Sequence, residues 1–154
     1  MTDTVPSRVL MLLPDEDAPI VSSDLPPRLA ALYYQLKNSG LELVFATRSG
    51  GFSAAIGDMR RFAYSPVVAK LMADAFARDE LSESIAVDRV YVDDFDAVII
   101  FVEGSELSLP EVAMLISEFQ DVGKAVIASE ILAPVEDVLS TICATMSRTE
   151  LKLL

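Results

Sequence analysis

"AVIIFVEGSELSLPEVAMLISEFQDVGKAVIAS", Ala97 to Ser129, decides how this chain folds. It opens with an unbroken apolar run, Ala97 to Val102, and passes through a turn-forming stretch. A segment with apolar residues at Val112, Leu115, Ile116 and Phe119 follows, and the stretch returns to an apolar run at Ala125 to Ala128. Short continuous apolar runs suit strands covered on both faces, and the three-and-four spacing between them suits a helix with one buried stripe. Ser108 followed by Glu111 predicts a capping box at the helix start, and Gly123 predicts its stop. Strand, helix and strand in that order make a parallel pair joined by a right-handed crossover.

The same pattern recurs on the N-terminal side. "RVLMLL" (Arg8 to Leu13) and "LELVFA" (Leu41 to Ala46) are further buried-strand runs, and "RVYV" (Arg89 to Val92) is a weaker fifth candidate. Leu29, Leu32, Tyr33 and Leu36 line one face of a helix that opens at Pro26 and Pro27 and stops at Gly40, the usual asymmetry of helix ends. Val68, Leu71, Met72 and Phe76 predict a helix after Ser65 and Pro66; Ile131, Val135, Val138, Leu139, Ile142 and Met146 predict the last one. Alternating strands and helices predict an α/β fold: one domain over residues 1–154, with a doubly wound, mostly parallel sheet between two helical layers. A chain of this length buries roughly two thirds of its unfolded surface around one core. The stretch Arg48 to Ser65, with "RSGGFSAAIGD", reads as a glycine-containing surface excursion of no assignable role.

Composition narrows the function. Twelve basic against 24 acidic residues give a net charge of -12, which repels phosphate backbones and anionic lipid, so neither nucleic acid nor a membrane is expected as a partner. The longest apolar run is far short of the roughly 20 residues that cross a bilayer, and "MTDTVPSR" lacks the basic-then-apolar order of a signal peptide. The expectation is a cytoplasmic protein. Cys143 is the single cysteine and histidine is absent, which excludes an intrachain disulfide, imidazole-based triads and histidine-ligated metals.

In doubly wound sheets ligands bind outside the carboxyl ends of the strands. The loops there are Pro14 to Asp24, Glu103 to Ser108 and Ser129 to Pro134, and they carry Asp15, Glu16, Asp17, Glu103, Glu106 and Glu130. Converging carboxylates suit a hard cation such as Mg2+. The weightier reading is that they are solvated and favoured near helix starts, since no spacing matches a dedicated metal loop. No metal and no cofactor is expected. "RSGG" has neither the Walker nor the Rossmann spacing and reads as a turn, and Cys143, inside an apolar helical stripe, reads as a small buried hydrophobe. A phosphate-accepting receiver domain is rejected, because the middle strand ends in Phe101 and Val102 and Lys124 lies at the wrong end of its strand.

Three segments in order resemble the ThiJ/PfpI family of the class I glutamine-amidotransferase-like superfamily. "RLAALYYQLKNSGLELVFATRSGG" is similar to the family's first helix and second strand, and "DDFDAVIIFVEGS" to its "YDAxxxPGGHG" segment. "LPEVAMLISEFQDVGKAVIAS" is similar to the helix and strand that lead to its nucleophile elbow. The resemblance implies a flavodoxin-like three-layer sandwich and a homodimer. Family enzymes carry a cysteine within "AxCHG" at the elbow, a glutamate from the first helix to activate it, and glycine amides facing it. Here the cysteine position falls on Glu130, and the histidine and glycine positions on Ile131 and Leu132. The glutamate position falls on Arg28, and "VEGS" leaves only Gly104 of the glycine pair. An exchanged acid and base suggest that Arg28 and Glu130 pair across the same cavity. Leu132 in place of glycine implies a relaxed bend. The chain stops about one helix past the elbow, where family members continue, which puts the family's sheet edge and dimer contacts in doubt and leaves "LKLL" to cover a surface or meet a partner.

The expected protein is therefore a catalytically degenerate ThiJ/PfpI-like domain with a ligand-binding or interaction and assembly role, more a pseudoenzyme than an enzyme. Its ligand-pocket candidates are Arg28, Glu103, Gly104, Ser129, Glu130, Asp15 and Glu16, with no catalytic residue among them. Two alternatives stay open. One is a hydrolase or lyase using Glu130 as general acid or base at a rebuilt site. The other is a divalent-cation module built on Glu103, Glu130 and the Asp15 to Asp17 loop.

Overall fold

The computed structural model describes residues 8–16, 25–57, 59–102 and 104–128. Five parallel strands form one sheet: β1 (Arg8–Leu12), β2 (Glu42–Thr47), β3 (Ile85–Ala86), β4 (Ala97–Ile100) and β5 (Ala125–Ala128), in the order β3-β2-β1-β4-β5. The register places Leu12 beside Ala46 on one side and Ile100 on the other, and Ile100 beside Ala128. The β1, β2, β4 and β5 segments match the four apolar runs of the sequence.

The fifth expected strand is corrected. "RVYV" is not extended pairing; Val87–Arg89 and Val92–Asp94 are short 3-10 turns, and the pairing strand is the preceding Ile85–Ala86. Charged residues at Asp88, Arg89, Asp93 and Asp94 face solvent, while Val87 and Val92 reach the core from the turns. A strand covered on both faces has no room for that charge.

Helix α1 (Leu25–Asn38) follows the expected stripe, burying Leu25, Leu29, Leu32, Tyr33 and Leu36, and the chain leaves it through Gly40 at φ +84°. After α2 (Ala54–Gly57) and a 3-10 turn at Met59–Phe62, the single helix expected from Val68 to Phe76 is two: α3 (Pro66–Ala73) and α4 (Ala75–Ser82). Asp74 separates them in an extended conformation, and its side chain accepts the Ala77 amide at 3.2 Å, which caps α4 and restarts the helix with a new phase. Phe76 is thereby turned outward, 70% exposed, and Ala77 and Leu81 take the buried positions. Helix α5 (Pro110–Asp121) begins after Leu109, and no side chain caps it, so the expected Ser108 capping box does not form. Pro110 starts the helix instead, since the amide it lacks had no intrahelical partner to lose.

Strand alternation divides the core between two faces. Val9, Met11, Leu43, Phe45, Ile99 and Ile127 pack under α1, α3 and α4. Leu10, Leu12, Ala46, Val98 and Ile100 share the other face with Val112, Leu115 and Phe119 of α5. Burying a side chain of this size contributes about 1.5–3 kcal/mol, so these two layers supply the main force holding the strand ends in register. The last predicted apolar stripe, Ile131 to Met146, lies outside the described residues, as does Cys143. Among the described residues no helix is long and apolar enough to cross a membrane.

Candidate functional site

From β1 the chain adds β2 and β3 on one side of the sheet, then β4 and β5 on the other, so strand order reverses between β1 and β4. Beyond the carboxyl ends of those two strands lies the crevice in which doubly wound sheets hold their ligands. The chain leaves β1 through Leu13, whose amide bonds to the Ala46 carbonyl at 2.8 Å, and leaves β4 through Phe101, whose amide bonds to the Leu12 carbonyl at 2.8 Å. These bonds hold both exits together, with Asp15 and Glu106 following them.

Asp15 is 5% exposed and Glu106 is 9% exposed. The Asp15 backbone amide donates to Glu106 Oε1 at 3.1 Å, which spans the crevice from the β1 exit to the β4 exit. The Asp15 carboxylate is taken up from the β2 side. Oδ1 accepts the Ser49 amide at 3.2 Å, and Oδ2 accepts the Ser49 hydroxyl at 2.9 Å and Arg48 Nη2 at 3.2 Å. Arg48 also reaches Glu111, at the start of α5, with Nη1 to Oε1 at 3.5 Å. The Ser53 hydroxyl donates to the Pro14 carbonyl at 2.7 Å and accepts the Ala55 amide at 3.1 Å, so it fastens the same loop and starts α2.

Two carboxylates and one guanidinium thus occupy the switch point. Burial pushes the Glu106 carboxyl above the usual carboxylate range. The Asp15 amide and Arg48 oppose that shift, and the Asp15 charge adds to it. Chemically the arrangement is a structural network more than a poised acid and base, because both oxygens of Asp15 are already held by donors; within it the buried Nε of Arg48 has no hydrogen-bond partner among the described residues.

Among the described residues no group of three or more histidine, cysteine, aspartate or glutamate side chains gathers as a metal-holding cluster. Of the expected pocket residues, Asp15 is at the centre of the network, and Glu16 is exposed in the turn beside it. Arg28 is half-buried on α1, and Gly104 opens the 3-10 turn Gly104–Ser108 that carries Glu106. Glu103, Ser129 and Glu130 lie outside the described residues, and with them the expected Arg28–Glu130 pair. Sequence reasoning named Glu106 without selecting it, and it missed Arg48, Ser49 and Ser53. Arg48 and Ser49 belong to the "RSGG" stretch directly after β2, read from the sequence as a turn, and Ser53 follows it in the same excursion.

The 24 kDa Rapid Encystment Protein of Francisella tularensis (REP24) is similar in structure over 79% of this chain, with a TM-score of 0.59 and 15% identity. The protein APC35852 is similar over 80% of the chain, with a TM-score of 0.53 and 18% identity. The DJ-1 superfamily protein Atu0886 of Agrobacterium tumefaciens matches over 79% at 19% identity, with a TM-score of 0.43. The likeness to REP24 and APC35852 is one of fold, a parallel sheet between layers of helices. This chain spans little more than half of those solved proteins, 57%, 56% and 52% of their lengths in the same order. No family model matches the sequence, and no curated protein does. β5 is the strand whose carboxyl end precedes the elbow position expected from the sequence: Ala128 is its last residue, and Ser129 and Glu130 follow directly in the chain.

Proposed function

We propose that this is a catalytically degenerate ThiJ/PfpI-like domain, acting by binding or assembly and not by the hydrolase, glyoxalase or deglycase chemistry of an elbow cysteine. The observation that carries the reading is the occupied switch point. Asp15 and Glu106 bridge β1 and β4 at 3.1 Å, and Ser49 and Arg48 take up the Asp15 carboxylate. A substrate entering there would have to displace the buried Asp15–Glu106 bond, costly to leave unmade, and the half-buried bonds of Ser49 and Arg48. The sequence supports the same reading, since Glu130, Ile131 and Leu132 stand at the Cys-His-Gly positions and the chain has no histidine.

On this reading Glu130 is an anion paired with Arg28, its oxygens engaged by the guanidinium and so not free to take a proton from a substrate. A cytoplasmic location and a homodimer, without nucleic-acid or membrane partners, complete the proposal. The test is turnover of methylglyoxal and of 4-nitrophenyl acetate by the full chain, beside Glu130→Gln. The expected result is no turnover above buffer for either protein. Catalysis by the wild-type chain that Glu130→Gln abolishes would overturn the proposal in favour of an acid/base enzyme.

A further inference from the structure

A second concavity lies away from the switch point, within the excursion between β2 and β3. Its volume is about 580 Å³, inside the range of small-molecule sites. Ile56, Met59, Leu71, Met72 and Leu81 form an apolar wall drawn from α2, the following 3-10 turn, α3 and α4. Two of the five are methionines, whose flexible thioethers adapt to ligands of varied outline. β1 and β4 separate this flank of the sheet from β5, so the cavity is independent of the elbow and of the chemistry proposed lost there.

The charge at its mouth is the reverse of the chain's. Against a net charge of -12, the lining holds Arg60 and Arg78 with Asp79 as the single acidic residue among those described. Arg78 is committed to structure, since its Nη1 donates to the Met72 carbonyl at 3.2 Å across the α3–α4 junction. Arg60 is exposed and has no ion-pair partner among the described residues. A strongly acidic protein that keeps an uncommitted guanidinium beside an apolar hollow favours one ligand class there over others. The guanidinium offers a planar fork of donors that matches a carboxylate, and the hollow takes an apolar body.

We infer that this cavity binds a small amphiphilic carboxylate, its apolar body against Leu71, Met72 and Leu81 and its head group on Arg60. Asp79 on the same rim sharpens the choice by repelling ligands with more than one negative charge. It also makes a cationic amphiphile the rival occupant.

Isothermal titration of the full chain with decanoate, decanol and decylammonium, each below its aggregation concentration, decides between them. Decanoate is expected to bind saturably with one site per chain and more tightly than the other two. Arg60→Gln, an exposed position that leaves the fold intact, is expected to weaken decanoate by about tenfold and to leave decanol unchanged. Met72→Trp, which fills the hollow, is expected to remove binding of all three. If that variant loses its circular dichroism signature, Arg60→Gln alone decides. Tighter binding of decylammonium than of decanoate, affinity for decanoate unaltered in Arg60→Gln, or no saturable binding overturns the inference. None of these outcomes bears on methylglyoxal turnover, so the two proposals fail separately.

Discussion

The Asp15 amide donates to the Glu106 carboxylate at 3.1 Å, and this bond ties the chain just past β1 to the turn just past β4. It holds a carboxyl that burial disfavours in its charged form, so the folded-state pKa of Glu106 lies above its unfolded value. Between the two values the folded protein holds a proton that the unfolded chain has released, and stability falls as pH rises through that window. Glu106→Gln keeps an acceptor for the Asp15 amide without the charge. It is expected to match the wild type below about pH 4, within the acidic range of free carboxyls, and to melt higher at pH 7. A melting curve at both values checks it, and a variant less stable at pH 7 would show that the charge is favourable after all.

Asp15 should behave in the opposite way. Its carboxylate satisfies the Ser49 amide, the Ser49 hydroxyl and one arm of Arg48, and Asp15 itself is almost fully buried. Asp15→Ala strands these donors, at a cost of about 1–2 kcal/mol in urea unfolding, held down because Ser49 is exposed and Arg48 half-buried, so that water partly replaces the lost acceptor. Asp15→Asn keeps an acceptor and should lose less than half as much. Equal losses for the two variants would mean that side-chain volume, not hydrogen bonding, sets the effect.

The contrast between these two carboxylates shows what the sequence makes legible. Four strands were readable because covered parallel strands require unbroken apolar runs, and α1 because its stripe, prolines and terminal glycine agree. The break at Asp74 was hidden, since Val68 to Phe76 keeps helical spacing straight through it; only the aspartate's bond to the Ala77 amide reveals the restart. The site was half legible for a related reason. Fold rules place ligands beyond the strand ends, which brought Asp15 and Glu106 into view. Nothing local in "RSGG" shows that Arg48 and Ser49 fold back onto a residue 33 or 34 positions earlier. Such pairings are fixed by the sheet register, in which Ala46 lies beside Leu12, and become visible only with it.

Gly50 is where that fold-back meets a steric limit. Its φ is +82°, and a Cβ added there would lie 3.2 Å from the Ala86 amide nitrogen of β3. Gly50→Ala therefore meets both a disfavoured backbone conformation and a close backbone neighbour, for an expected loss of about 1–2 kcal/mol. Gly51 has a similar φ of +84° with open space around it, so Gly51→Ala carries the backbone cost alone and should lose less. Paired urea titrations of the two variants measure the difference, which isolates the contact with β3.

Thr47 ends β2 beside this turn, fully buried, and its hydroxyl has no hydrogen-bond partner among the described residues. A buried hydroxyl without a partner costs about 1–3 kcal/mol relative to its hydrated state. Valine has nearly the same shape, keeps the β-branched geometry that strands favour, and removes the unsatisfied oxygen. Thr47→Val is therefore expected to stabilise the chain by about 1 kcal/mol, raising the urea midpoint without changing the slope of the transition. The strand register beside Ala86 should be unaltered. A loss of stability would mean that the hydroxyl holds a buried water or a polar ligand at the carboxyl edge of β2. In that case the midpoint of the wild type, and not of Thr47→Val, should rise when that ligand is added.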